Sequence, residues 1–220
     1  MILTCPPLNR AEALRYLGVT GTPPADVATL LDQAEKLLSE TARPRYIWRA
    51  FGWDGNTLQN TGLDLPGEDI RRHLTGCHTA ILLAVTLGRE TEELFRRTQT
   101  TNMALAVTLD AAASSLVESC CDAAEQHLRE AYPDCYITFR FSPGYGDLPL
   151  TVQDGFLRLL NAGRQIGLTV SPSNMLLPQK SVTAILGLSD TPLPEGQRGC
   201  ATCKMRDRCS FRKEGNHCGF

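Results

Sequence analysis

The chain has 220 residues, of which 42% are hydrophobic and 21% charged, with a formal net charge of −2. This length suits one globular domain with room for a small appendage. The near-neutral charge gives no electrostatic basis for binding nucleic acid or an anionic membrane. The longest apolar run, AILLAV at 80–85, is far too short to span a bilayer, and the N-terminus MILTCPP lacks the regions of a secretory signal. We therefore predict a cytoplasmic protein without a membrane or nucleic-acid partner.

The first 90 residues carry the patterns of both helices and strands. Asn9 is placed to cap a short helix that runs to Leu17, and apolar residues at helical spacing predict a second helix over 23–41. The segment 43–51 is strand-like, and we expect it to form a hairpin with a short strand near Leu58–Leu63. The remaining predicted elements here are a short helix over Pro66–Leu74 and a buried central strand at TAILLAVTL, 79–87.

The next hundred residues predict a long helical region followed by further strands. Segments 89–99 and 103–132 read as helix, and one face of the second is apolar. That face contains Leu105, Leu109, Ala112, Leu116, Cys120, Ala124 and Leu128. A strand CYITFRF, a helix over 151–163 closed by Gly163, and a strand SVTAILGL follow. This order predicts an α+β fold with a twisted, largely antiparallel sheet flanked by helices.

The stretch RFSPGYGDLP, at 140–149, has the chemistry of a ligand loop. Pro143-Gly144 suits a type II turn, and glycine lets a ligand approach the backbone closely. Arg140 offers a planar fork for a carboxylate, and Tyr145 offers a ring face for an adenine or a cationic centre. The alternative is a surface turn with a packing tyrosine.

Two blocks, RFSPGY and NMLLPQKSVTAILGLS, resemble the activation domain of cobalamin-dependent methionine synthase. That domain has an arginine, three intervening residues and Gly-Tyr, and later a methionine and a proline before a Ser-Val strand. The likeness extends more loosely over about residues 25–190. One departure is that Gly-Tyr usually leads there into Pro-x-Cys-Pro, where this chain has Gly146-Asp147-Leu148-Pro149.

The resemblance implies a binding site for S-adenosylmethionine. Its residues would be Arg140, Pro143, Gly144 and Tyr145, with Glu118 on the long helix a candidate partner for the ligand's amino group. The implied role is reductive reactivation, in which one electron and a methyl group from S-adenosylmethionine convert cob(II)alamin to methylcobalamin. No catalytic side chain is needed, because reduced cobalt is the nucleophile. The sequence has no recognisable D-x-H-x-x-G cobalamin segment, so the resemblance implies a separate cobalamin-binding methionine synthase or corrinoid protein as partner, together with an electron donor.

The C-terminus is rich in cysteine and basic residues. Cys200, Cys203, Cys209 and Cys218 have the spacing C-x2-C-x5-C-x8-C, which supplies four thiolates for an iron–sulfur cluster or, alternatively, a zinc ion. His217 could replace one cysteine as a ligand. We therefore divide the chain into an activation-like domain, 1–193, and a cysteine-rich metal-binding tail, 194–220. A reduced tail without metal is the remaining alternative.

Two other functions compete with reactivation. A non-enzymatic metal-binding adaptor would dock a corrinoid protein without binding S-adenosylmethionine, and a nucleic-acid-binding protein would use the basic tail as a zinc module. Neutral overall charge argues against the second. Cys120 and Cys121 are expected in the core, because adjacent helical side chains diverge. The isolated histidines are expected to be structural or exposed: His73, His78 and His127.

Overall fold

An antiparallel sheet of four strands is the centre of the fold. The structure is a computed structural model, and it describes residues 1–193. The strands are β1 (Arg45–Gly52), β2 (Thr79–Thr86), β3 (Tyr136–Ile137), β4 (Thr169–Val170), β5 (Leu176–Leu177) and β6 (Ser181–Ser189). Four of them stand in the order β1-β2-β6-β3 with every neighbouring pair antiparallel, and β4 pairs separately with β5. This arrangement confirms the largely antiparallel sheet expected from the sequence.

Helices cover both faces of the sheet. Within residues 1–193 they are α1 (Arg10–Tyr16), α2 (Ala25–Thr41), α3 (Glu68–His73), α4 (Arg89–Thr101), α5 (Met103–Ala131), α6 (Gln153–Leu160) and α7 (Ala162–Ile166). Asparagine side chains cap two of them. Asn9 Oδ1 accepts from Glu12 N at 3.1 Å, and Asn102 Oδ1 accepts from Leu105 N at 3.0 Å. Each cap satisfies one of the unpaired amide groups of a helix's first turn.

Strand β2 is buried on both faces, which explains its unbroken apolar sequence. Its side chains alternate between two hydrophobic cores. One core lies between the sheet and α1, α2, α4 and α5, and the other lies between the sheet and α3, α6 and α7. Ile81, Leu83 and Val85 face the first core, and Ala80, Leu82 and Ala84 face the second. The chain therefore forms three layers, with helices on either side of the sheet.

Helix α5 is the longest helix of the described region and lies in the first core. By length and composition it could cross a membrane, but 61% of its most apolar window is buried inside the protein. It packs against α1, α2 and α4. Cys120 and Cys121 are fully buried on it, as the sequence indicated. We conclude that α5 is a core helix, so that no membrane is indicated.

Two strand predictions were wrong. The expected strand near Leu58–Leu63 is replaced by two isolated bridges, since Asn60 and Gly62 have positive φ angles of 60° and 66° that interrupt an extended run. The strand predicted over 135–141 is reduced to β3, although Phe141 pairs again with Ile185.

The helix predicted to end at Gly163 instead stops earlier. Asn161 adopts the left-handed conformation, with φ 53° and ψ 37°, and ends α6. The chain then restarts as α7, which Gly167 closes. The predicted metal ligands Cys200, Cys203, Cys209 and Cys218 lie outside the described residues, as does His217. The division of the chain at residue 193 therefore stays a prediction.

Candidate functional site

The ligand loop predicted at 140–149 is a turn held by its own backbone. Tyr145 N donates to Ser142 O at 3.0 Å, and Gly144 between them has a φ of +93°. This is the type II geometry expected for Pro143-Gly144. Two further bonds join Gly144 N to Leu148 O at 2.8 Å and Leu148 N to Tyr145 O at 3.1 Å. The loop therefore presents Tyr145 from a fixed backbone.

Asp147 fastens this loop to the first turn of α3. Its Oδ2 accepts from Glu68 N at 2.7 Å, and its Oδ1 accepts from Asp69 N at 3.1 Å. The approach requires glycine at residue 67, because a Cβ there would lie 2.4 Å from Asp147 Oδ1. The segment GDLP, which departs from the methionine synthase pattern, thus has a structural purpose here. It supplies a side-chain cap to a helix distant in sequence.

Arg140 lies against three carboxylates on one face of α5. Its Nη1 donates to Asp122 Oδ1 at 2.8 Å and to Glu125 Oε2 at 3.0 Å. Its Nη2 donates to Glu118 Oε2 at 3.3 Å. Residues spaced by three and four positions share a helix face, which is why all three acids reach the same guanidinium. We call Glu118, Asp122, Glu125 and Arg140 the acidic cluster.

The acidic cluster has an excess of negative charge. Three carboxylates surround the Arg140 guanidinium, and Arg129 Nη2 also lies 2.6 Å from Glu125 Oε1, so three negative charges meet two positive ones. Burial raises the pKa of Glu118 above its ordinary value of 4.5; Arg140 opposes this, while Asp122 adds to it. Burial also raises the pKa of the Tyr145 phenol, and the negative charge of Glu118 acts in the same direction. The site therefore favours a ligand that brings positive charge.

Tyr145 supplies an exposed aromatic face beside this cluster. The residue is 60% exposed, which is high for a large apolar side chain on a rigid turn. Its ring meets Phe141 edge to face, with centroids 6.2 Å apart, and Phe141 in turn lies 5.1 Å from the ring of His73. Phe141 is held to the sheet through Ile185, by backbone bonds of 3.0 and 2.8 Å in the two directions. Tyr145 can thus stack on a planar group or face a cation.

The structure brings the sequence-predicted residues Arg140, Glu118 and Tyr145 into one neighbourhood, with Pro143 and Gly144 forming the turn between them. Asp122 and Glu125 were missed as cluster members. Their signal was available, because they follow Glu118 by four and seven residues on the predicted helix. Arg140 was expected to offer its fork to a ligand, and in the structure the fork already holds protein carboxylates.

No residue of the ligand loop lines a surface depression of about 700 Å³ in the described region, although Asp147 bonds to Glu68, which does. That depression is lined by α3 and by the segments around Trp53 and Cys77, and the acidic cluster contributes nothing to it. Ser181, from the second sequence block, has its Oγ 2.8 Å from Thr86 Oγ1 and 2.7 Å from Pro178 O. Its contacts are those of a structural residue.

Comparisons with known proteins give a likeness in structure alone. No protein-family model matches the chain, and no curated protein matches it either. Among solved structures, the chain is similar to the crystal structure of the MetH reactivation domain bound to AdoHcy. The TM-score is 0.64 at 15% sequence identity, over 95% of this chain and 82% of the other. The chain therefore has the fold of that reactivation domain, which confirms the α+β activation-domain fold that the sequence blocks implied.

Proposed function

Starting from this fold, we propose that the chain binds S-adenosylmethionine beside Tyr145 and the acidic cluster. The observation that carries the proposal is the pairing of an exposed aromatic ring with a surplus of carboxylates. S-adenosylmethionine has a planar adenine, a sulfonium and an α-ammonium group, and these match the two features. The similar domain of known structure was bound to AdoHcy, a ligand of closely related chemistry.

Each residue of the proposed binding site has a distinct role. Tyr145 packs against the adenine or faces the sulfonium, while Glu118 accepts hydrogen bonds from the α-ammonium group. Gly144 permits the turn that carries Tyr145, since its φ of +93° suits glycine and a Cβ at that position would lie 3.1 Å from Leu150 Cδ2. Pro143 fixes the first corner of the turn.

Arg140 must exchange one partner to hold the ligand's carboxylate. Asp122 is the partner most easily displaced, because its side chain is 72% exposed, against 14% for Glu125. An exposed ion pair contributes only about 0–1 kcal/mol, so this exchange costs little. Glu125 then remains as the anchor that positions the guanidinium. The resulting fork pairs with a carboxylate in the geometry for which arginine is suited.

We further propose that the bound ligand serves the reductive reactivation of a cobalamin-dependent methionine synthase or related corrinoid methyltransferase on a separate chain. S-adenosylmethionine supplies the methyl group. The residues of this chain bind and orient it, and none of them has to act as a nucleophile or a base. An electron donor completes the reaction, and a cytoplasmic location suits both partners.

Calorimetric titration of the full chain with S-adenosylmethionine tests the binding. We expect Arg140→Ala to weaken binding about 10- to 100-fold, the range for losing a hydrogen bond to a charged group. Arg10→Ala is the matched control. Arg10, on α1, also pairs with two carboxylates, which are on α2: Asp32 at 2.6 Å and Glu35 at 2.5 Å. The control should bind as the wild type does. Absence of binding by the wild type, or equal binding by Arg140→Ala, would show the proposal to be wrong.

One observation favours the adaptor alternative. Arg140 is already bonded to protein carboxylates, so a chain that had lost the ligand could keep this arrangement as a structural ion-pair network. Such an adaptor would dock a corrinoid protein and give no heat with S-adenosylmethionine. The same titration therefore separates the two functions.

A further inference from the structure

The end of one strand lies beside the beginnings of its two neighbours at one end of the sheet. Three residues that can each donate one atom to a metal ion meet there. Strand β6 lies between β2 and β3 and is antiparallel to both, so its end meets their beginnings. His78 comes directly before β2, Cys135 directly before β3, and Asp190 directly after β6. We call these residues the corner cluster. Their positions follow from the sheet rather than from a mobile loop.

The donor atoms of the corner cluster are close enough to share one ion. The histidine nitrogen, the thiol sulfur and the carboxylate oxygen all lie within 4.8 Å of one another. His78 Nε2 is 3.2 Å from Asp190 Oδ1. In a tetrahedral zinc site, bonds of about 2.0–2.3 Å place neighbouring donor atoms about 3.3–3.8 Å apart. The most widely separated donor atoms of the cluster, at up to 4.8 Å, therefore need to approach by only about 1 Å.

The imidazole of His78 is held as metal-binding histidines are held. Its Nδ1 lies 2.8 Å from Thr79 Oγ1, which leaves Nε2 directed at Asp190. The backbone is also fixed, because His78 N donates to Leu188 O at 3.0 Å and Trp53 N donates to His78 O at 2.9 Å. A hydrogen bond to the second ring nitrogen fixes both tautomer and orientation in metal sites.

The corner cluster is also accessible. The side chains of His78 and Asp190 are 48% and 80% exposed, and Cys135 is half-buried. By contrast, Cys120 and Cys121 are fully buried in the core, where burial raises the pKa of both thiols. An ion can therefore reach Cys135 from solvent, and a water molecule can complete its coordination.

We propose that His78, Cys135 and Asp190 bind one zinc ion, each through a single donor atom, with a fourth position open to water. The donor set decides the metal. Thiolate and imidazole are ligands of zinc, whereas calcium and magnesium take oxygen ligands. None of the three ligands is one of the four tail cysteines, and the proposal does not depend on the binding of S-adenosylmethionine.

Cobalt(II), used as a spectroscopic substitute for zinc, tests the site in the full-length chain. Replacing the four tail cysteines with serine removes the other predicted thiolate ligands and leaves residues 1–193 unchanged. In this background, under anaerobic conditions with a non-chelating reductant, we expect one equivalent of cobalt to bind. The spectrum should show a sulfur-to-cobalt charge-transfer band and tetrahedral visible bands, both lost when zinc is added.

Substitutions within the corner cluster then assign the ligands. Cys135→Ser should abolish the charge-transfer band, and His78→Ala and Asp190→Asn should each weaken binding at least about tenfold, since even an outer-shell partner is worth about 10–100-fold. Cys5→Ser is the matched control, because Cys5 is another half-buried free cysteine and should leave the spectrum unchanged. Asp190→Asn changes an exposed residue and is expected to fold normally.

The results that would overturn the proposal are equally specific. One is the lack of any charge-transfer band in the tail-substituted chain. Another is a band that survives Cys135→Ser. A third is unchanged affinity in both His78→Ala and Asp190→Asn, which would mean that Cys135 binds cobalt without the other two residues.

Discussion

Glu118, the proposed partner of the ligand's ammonium group, is a single residue whose charge is costly to the fold. Its carboxylate belongs to the acidic cluster, where it lies 3.3 Å from Arg140. Burial nevertheless raises its pKa, because the charged form loses more hydration than the arginine restores. Groups poised in this way are common where a charge must meet a ligand.

A pH dependence of stability follows from the raised pKa of Glu118. The folded state holds this proton more tightly than the unfolded state does, so the group favours folding at low pH. That contribution is lost as the pH rises from 4.5, the ordinary value, through the folded pKa. Glu118→Gln cannot titrate there. We therefore expect the variant to gain stability relative to the wild type across this interval.

Chemical denaturation of both proteins at a series of pH values measures this difference. The effect should be small, since the Glu118 side chain is 42% exposed and solvent screens it. The direction in which the stability difference changes with pH is therefore what tests the prediction. A wild-type-to-variant difference that stays constant with pH, or that changes in the opposite direction, would contradict the assignment.

Sequence patterns predicted the ligand loop better than they predicted its surroundings. Pro143-Gly144 specifies its own turn, because proline fixes one φ and glycine permits the other. The partners of Arg140 depend instead on how α5 packs against the sheet, which no local pattern records. Asp147 is a similar case, since its two bonds to α3 span 78 and 79 positions of the sequence.

Among elements, α3 depends on the ligand loop for its first turn. It has six residues and no side-chain cap of its own, so Asp147 provides the acceptors for its amide groups. Asp147→Ala should lower the free energy of unfolding by about 1 kcal/mol, the usual cost of losing a helix cap. Because the same contact steadies the turn that carries Tyr145, the variant should also bind S-adenosylmethionine more weakly.

Asp147→Asn provides the comparison for this prediction. Asparagine keeps one acceptor oxygen and is a good capping residue, so it should recover part of the lost stability. Thermal or chemical unfolding gives the stability, and the calorimetric titration gives the affinity. Equal stability of Asp147→Ala and the wild type would mean that the contact with α3 contributes nothing.

Helix α6 and strand β3 show why the ends of an element were harder to predict than whether it is a helix or a strand. The helix expected to end at Gly163 stops at Asn161, since asparagine is one of the few residues besides glycine that adopt the left-handed conformation. Strand β3 is short because Thr138 Oγ1, rather than a backbone oxygen, accepts from Gly187 N at 2.8 Å. Side-chain competition of this kind interrupts a ladder without leaving a periodic signal.

At the scale of the whole molecule, the fold was predictable because its two cores impose consistent patterns. The centres of strands β2 and β6 are largely apolar, since helices cover both faces of the sheet. The amphipathic face of α5 follows from its position in the first core. The cysteine-rich tail has no such pattern, and its metal is predicted from ligand count alone.

A spectrum of anaerobically purified full-length protein tests the tail prediction. For an iron–sulfur cluster held by Cys200, Cys203, Cys209 and Cys218, we expect a coloured protein with visible absorption. Replacing these four cysteines with serine should remove the colour. A colourless preparation containing stoichiometric zinc would contradict the cluster and support the zinc alternative. Zinc that persists in the substituted chain would instead be attributed to the corner cluster.

The burial of both faces of β2 also determines which unfolding event exposes its amide protons to solvent. Both of its neighbours hydrogen-bond to it, and both of its faces lie in hydrophobic cores, so its amide protons can exchange with solvent only when the entire fold comes apart. The loop that carries Tyr145 lies at the surface and can release its amides by local opening. Hydrogen exchange would therefore register a ligand at Tyr145 as slower local opening there, while β2 reports separately on the stability of the whole domain.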